Sequence, residues 1–153
     1  MQIKTKIIRD IKVIEKELNS IASGVILLPL DEDAEQIAAN FIYHDKNIYF
    51  YIQDKDLYDK IKFNTGTTLI AIKDSASPVK VNKTDDAIYT LFYITVSGII
   101  KKVKEKKLRN IIIQSFIQKY SGQLIDSENK SKSLSRLVVL DTEEMIATEE
   151  IGS

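Results

Sequence analysis

The chain has 153 residues, a length that fits a single domain spanning 1–153 with a real hydrophobic core. Lys plus Arg number 22 and Asp plus Glu number 22, with 44% hydrophobic residues, so the class is soluble globular and net charge offers nothing toward a nucleic-acid or membrane-surface role. There is no Cys, which excludes disulfides, thiol nucleophiles and Cys-based metal centres.

Residues 3–19 predict an amphipathic helix, with Ile3, Ile7, Ile11, Ile14 and Leu18 at helical spacing and Lys and Glu between them. The same opening stretch alternates charge with Ile and lacks the apolar centre of a signal peptide. No apolar run reaches the roughly 20 residues of a membrane helix, so the expectation is a cytoplasmic protein. Val25–Leu30 reads as a buried strand with Pro29 near its end, and Asp31-Glu32-Asp33 as a solvated turn without the Gly and distal Glu of a calcium loop.

A hairpin follows. Gln36–Tyr43 and Asn47–Gln53 alternate as strands, and His44-Asp45-Lys46-Asn47 supplies the turn between them. Residues 55–63 switch to helical spacing, with Gly66 the expected left-handed cap. Thr67–Lys73 is a β-branched strand, and 74–86 a polar loop. Ala87–Ile100 is the strongest strand in the chain. Its middle reads as apolar on both faces, as expected of a barrel wall that also meets a second copy, and Gly98 marks a candidate bulge. Lys104–Tyr120 predicts a second long helix with Leu108, Ile111, Ile112, Phe116 and Tyr120 on its apolar face, closed by Ser121-Gly122. After a polar loop at 126–135, a last strand runs from Leu137 to about Ala147 with an interruption at Asp141-Thr142. Strands joined by tight turns, without βαβ alternation, predict a mainly β fold with flanking helices: a six-stranded antiparallel barrel.

Chemistry-bearing motifs are sparse. No phosphate-binding glycine loop and no nucleophile elbow are present. His44 is the single His, which excludes a multi-His metal site; its position in a turn reads as a surface residue, with haem ligation as the functional alternative. Only Arg9, Arg109 and Arg136 are Arg, a low investment for a protein that grips phosphate bidentately.

The stretches NFIYHDKNIYFYIQ, DLYDKIKFNTGTTLIAI and ITVSGIIKKVKEKKLRNIIIQSFIQKY resemble the pyridoxamine 5′-phosphate oxidase-like, FMN-binding split-barrel family across residues 20–147. The resemblance implies a six-stranded split barrel, a homodimer, and FMN at the subunit interface. Arg136 resembles a basic residue that the family sends to the partner's cofactor, and the candidate contacts that compensate for the family residues missing here are the backbone amides around Ala38 and Asn40 and the side chains of Gln53, Lys55, Lys60 and Lys62 as hydrogen-bond donors. The chain departs from the family pattern at three positions. Ile37 stands where the family places an Arg, Ile52 where it places a Thr, and Leu57 where it places a basic residue, while Asp54 and Asp56 bring negative charge toward the phosphate position.

The expectation is therefore an FMN-binding split-barrel protein, with an FMN-dependent oxidoreductase on a small substrate as its candidate activity, the flavin supplying the redox chemistry. Two alternatives stand beside it: a split barrel that has lost FMN and serves as a binding module, and a haem-binding split barrel using His44. Pyridoxamine phosphate oxidase activity itself is not expected, because no Arg/His pair is assignable to that substrate's phosphate.

Overall fold

The structure is a computed structural model that describes residues 3–73, 79–80, 87–120 and 136–152. The elements run β1 (Ile3–Ile8), α1 (Ile11–Ser20), β2 (Ser23–Pro29), β3 (Ala34–Asn40), β4 (Ile42–His44), β5 (Asn47–Tyr51), α2 (Lys55–Lys60), β6 (Thr65–Lys73), β7 (Val79–Lys80), β8 (Ala87–Lys102), α3 (Lys106–Tyr120) and β9 (Leu137–Gly152). The fold is mainly β with flanking helices, a curled antiparallel sheet in the order β3-β2-β6-β8-β9-β5-β4. Seven strands form that path, β1 adds to β9, and the two-residue β7 pairs with β8, so the six-stranded expectation undercounts the barrel.

Two features account for the difference. The expected helix at 3–19 begins as a strand: Ile3, Thr5 and Ile7 alternate with Lys4 and Lys6, and the whole segment pairs with β9 from Ile3↔Gly152 to Ile8↔Ala147. Ile at positions 3, 7 and 11 satisfies both a period of two and a period near 3.6, so spacing alone does not separate the two states. The helix starts only after Asp10, whose carboxylate accepts from the Lys12 amide at 3.0 Å, and it buries Ile14 and Leu18 in the barrel core. The expected strand at 36–43 is likewise two strands, broken at Phe41.

The β4–β5 hairpin matches its sequence expectation closely. His44 pairs with Asn47 around the two-residue turn Asp45-Lys46, and both turn residues have positive φ, 47° and 68°. That is the geometry of a two-residue turn whose twist matches its strands. β5 is buried on both faces. Ile48 and Phe50 point into the barrel core, whereas Tyr49 packs in a second cluster with Ile112 and Phe116 of α3.

β8 spans the barrel, paired with β6 on one side and β9 on the other. Its side chains alternate rather than being buried on both faces: Phe92, Ile94, Val96 and Ile100 face the core, and Tyr93, Thr95 and Ser97 face outward, half-buried. The Gly98 expectation holds. The β8–β9 register shifts between Ser97 and Gly98, and a Cβ on Gly98 would lie 2.1 Å from the Asp141 carbonyl oxygen. β9 continues through Asp141-Thr142 without interruption, absorbing the expected break as this bulge.

Smaller corrections follow from local chemistry. α2 ends at Lys60 rather than 63, and the left-handed residue beyond it is Asn64, φ 63°, rather than Gly66, which lies inside β6. In α3, Ile112 and Phe116 are buried but Ile111 is 43% exposed. The expected loops at 74–86 and 126–135 fall outside the described residues except for β7, as does the Ser121-Gly122 helix end.

Candidate functional site

The sheet curls until β3, at one end of the strand path, lies against β5, next to the other end. Among the described residues no ladder joins the two, so the barrel stays split here. Among the described residues β3 pairs only with β2, and no described strand takes up the polar groups along its other edge.

A cleft of about 280 Å³ occupies this split. Ile37, Ala38 and Asn40 form its β3 wall, and Tyr51, Gln53 and Leu57 form the wall opposite. Ala38 and Asn40 on β3 and Gln53 just beyond β5, three of the candidate contacts, thus come together across thirteen or more residues of sequence. The three departures from the family pattern sit here as well: Ile37, Ile52 and Leu57 all line the cleft.

A second cleft of about 590 Å³ adjoins the first through Asp54 and Leu57. Lys60 lines it, facing Asp31, Glu32, Asp33, Glu35 and Asp56. Lys55 and Lys62 line neither cleft; both are exposed, Lys55 at the start of α2 and Lys62 beyond it, where its amide donates to the Pro29 carbonyl at 2.7 Å. Arg136 stands behind the β5 wall. Its guanidinium donates to the carbonyl oxygens of Ile52 and Gln53, both at 2.7 Å, and so reaches its own chain's backbone.

Asp54 is the N-cap of α2. Its carboxylate accepts from the amides of Asp56 at 2.9 Å and Leu57 at 3.4 Å. The capping bonds direct part of its negative charge into the helix rather than into the clefts. Asp56 has no such capping role and stays exposed on the rim.

The clefts fit a flavin unevenly. The slot between β3 and β5 suits the ring system: it joins apolar surface from Ile37, Tyr51 and Leu57 to the amides of Asn40 and Gln53 and an open strand edge. The phosphate end is less well matched, because carboxylates outnumber the one lysine in the adjoining cleft.

Several other features resolve into structure. His44 lines neither cleft and packs edge-on to Tyr49, ring centroids 6.3 Å apart. In the basic run at 101–107, two of the five lysines have partners, while Lys104, Lys106 and Lys107 are exposed. Lys101 pairs with Asp141 at 2.7 Å, and Lys102 sits over the rings of Tyr58 and Phe63. Arg109 donates to the Val103 carbonyl. No group of three or more His, Cys, Asp or Glu among the described residues could hold a metal ion, and no described helix is long and apolar enough to cross a membrane.

Sequence reasoning missed the C-terminal turn of α3. The Phe41 amide donates to the Tyr120 hydroxyl at 3.0 Å, and that hydroxyl's own proton is shared between the carbonyls of Phe41 at 2.8 Å and Ala22 at 2.6 Å. The Lys119 ammonium donates to the Phe41 carbonyl at 3.0 Å and lies 4.2 Å from the Phe41 ring centroid. Burial pushes Tyr120 up to about 12 and Lys119 down to about 8. A Lys-Tyr pair at the end of an apolar helical stripe was the available signal, but nothing in the spacing names its target.

Comparison with solved structures places the fold. A candidate 5-nitroimidazole antibiotic resistance protein from Bacteroides thetaiotaomicron superposes with a TM-score of 0.73 at 10% identity, over 100% of this chain and 93% of that one. A candidate pyridoxamine 5′-phosphate oxidase from Corynebacterium glutamicum gives 0.61 at 14% identity, and an FAD-binding protein from Mycobacterium smegmatis gives 0.60 at 12%; each match covers 95% of this chain and 98% of the other. The chain therefore has the split-barrel fold of the pyridoxamine 5′-phosphate oxidase-like proteins. No protein-family model and no curated protein sequence matches it.

Proposed function

We propose that the chain is a flavin-binding split-barrel protein that takes FMN, works as a homodimer and serves as an oxidoreductase on a small substrate. The observation that carries this reading is the slot between β3 and β5, where Ala38, Asn40 and Gln53 converge on a strand edge that no described strand pairs. Similar folds described as an FAD-binding protein and a candidate pyridoxamine 5′-phosphate oxidase support a flavin as the occupant. A flavin held there would supply hydride or electron transfer. The chain's own part is to orient the ring through Asn40, Gln53 and the β3 backbone, and to keep one ring face against apolar surface. Lys60 is the lysine best placed for the phosphate, with Lys55 and Lys62 nearby in sequence.

The dimer has its own support in the outer face of the sheet. Ile72, Tyr93, Thr148 and Ile7 lie side by side across four strands, and Val25, Ile70, Thr95 and Ile146 form the next row. Ile7, Ile70 and Ile72 are 54%, 39% and 50% exposed. An apolar band of this kind on a sheet face is what a second copy would cover.

The acidic rim favours a second reading, a barrel that has kept the fold, released the phosphate-bearing cofactor and acts as a binding module. The two readings separate on the flavin absorbance that survives desalting after FMN is added. Retention at about one flavin per chain supports the first, and complete loss supports the second.

A further inference from the structure

We propose that the last turn of α3 sets the width of the split, with Tyr120 and Lys119 as positioning residues for the ligand that enters it; the ligand's identity rests on the flavin reading above. The helix reaches both walls of the cleft. On the β3 side, the Tyr120 hydroxyl takes up both the amide and the carbonyl of Phe41, the residue directly after Asn40, and Lys119 adds a second donor to that carbonyl. On the β5 side, Tyr51 packs edge-on to Phe116 at 5.3 Å, and Phe116 in turn stacks on Tyr120 at 5.8 Å. Tyr51 and Asn40 both line the cleft. One helical turn thus holds the two strand ends at a fixed separation just beyond the last rung of the β4–β5 ladder, Ile42↔Tyr49.

Phe41 is also where the chain leaves one end of the strand path for the other. A strand break exposes backbone groups that need partners, and these are supplied by side chains 79 and 78 residues away rather than by a neighbouring strand. The same turn ties in α1, since Lys119 also reaches the Leu18 carbonyl at 3.5 Å and Tyr120 the Ala22 carbonyl. Neither residue lines the cleft, so their effect on a ligand passes through Asn40 and Tyr51.

The test compares Tyr120→Phe and Lys119→Met with Ile112→Val, which trims the same helix's buried face away from Phe41. FMN affinity is read by quenching of flavin fluorescence, the bound ring's environment by visible circular dichroism, and stability by thermal unfolding. Tyr120→Phe is expected to weaken FMN about tenfold and to alter the visible dichroism, as loss of a hydrogen-bonded anchor would. Lys119→Met follows in the same direction, and Lys119→Arg restores most of the affinity. Ile112→Val lowers the melting temperature while leaving both flavin readouts in place. Wild-type affinity and dichroism in Tyr120→Phe would overturn the proposal, as would equal weakening by Ile112→Val. If the wild-type protein binds no FMN, the flavin reading fails but the clamp is still decided by amide hydrogen exchange in the ligand-free chain. Tyr120→Phe then speeds exchange selectively at 37–41 and 51–54; a uniform change, or none, overturns it.

Discussion

Arg136 holds the carbonyl oxygens of Ile52 and Gln53 at the same distance, 2.7 Å, and so fixes the end of β5 where the candidate site begins. A planar guanidinium can serve two adjacent carbonyls at once, whereas an ammonium cannot reproduce that fork. Arg136→Met should lower stability by roughly 1–3 kcal/mol in urea denaturation, toward the low end because the side chain is partly exposed. It should also weaken FMN severalfold, because Gln53 loses its anchor. Arg136→Lys should recover only part of either effect; full recovery would mean that charge alone matters here.

Gly98 offers no room for a side chain. A Cβ would meet the Asp141 carbonyl oxygen at 2.1 Å and the Thr142 Cα at 2.9 Å, so the β8–β9 backbone itself must move. Gly98→Ala should cost more than about 3 kcal/mol, the range of severe overpacking. Gly66→Ala is the matched control, since the nearest atom its Cβ would meet is the Gly98 carbonyl oxygen at 3.9 Å. Equal unfolding midpoints for the two variants would remove the bulge from the account of barrel curvature.

Alkaline pH should act on the α3 clamp in two opposed steps. Burial lowers Lys119 to about 8, so between that pH and the ordinary lysine range the unfolded chain binds more protons and stability rises with pH. Burial raises Tyr120 to about 12, so its contribution is complete below the ordinary tyrosine value near 10 and is lost as pH climbs from there toward 12. Urea midpoints should therefore rise from pH 8 to about 10 and fall above it. Lys119→Met should abolish the rising limb and leave the falling one; a rising limb that persists in the variant would assign it to another group.

The exposed row on the sheet gives the dimer its test. Phe92 and Ile94 face the core, so a charge at either reports on folding alone. Ile72 is 50% exposed beside Tyr93. Ile72→Glu should leave the fold intact by circular dichroism and shift a dimeric mass to a monomeric one in light scattering. A monomeric wild-type protein at micromolar concentration would contradict the interfacial reading.

Much of the fold was legible because strong local signals and tertiary context agree. The Asp45-Lys46 turn, the β-branched β6 and the long β8 with its Gly98 bulge all follow from composition and period. The misreadings fall where one pattern serves two structures. Ile3, Ile7 and Ile11 fit strand and helix alike, and only the ladder to β9, more than a hundred residues away, decides for a strand. The break at Phe41 left no mark in the alternation, because it depends on Tyr120, 79 residues away. The site was partly legible for the same reason. Ala38 and Asn40 are placed by β3 and Gln53 lies two residues beyond the end of β5, while Lys55 and Lys62 are oriented by the local geometry around a six-residue helix, which sequence spacing does not specify.

The central claim is that the β3–β5 split holds a flavin despite its acidic neighbours, and the most direct measurement is the visible absorption spectrum of purified protein after addition of FMN and desalting. The account predicts a retained flavin band at about one FMN per chain, strengthened in Asp56→Asn and lost in Lys60→Glu, as charge at the rim requires. A colourless wild-type protein that releases all added FMN would contradict it and leave the split barrel as a binding module.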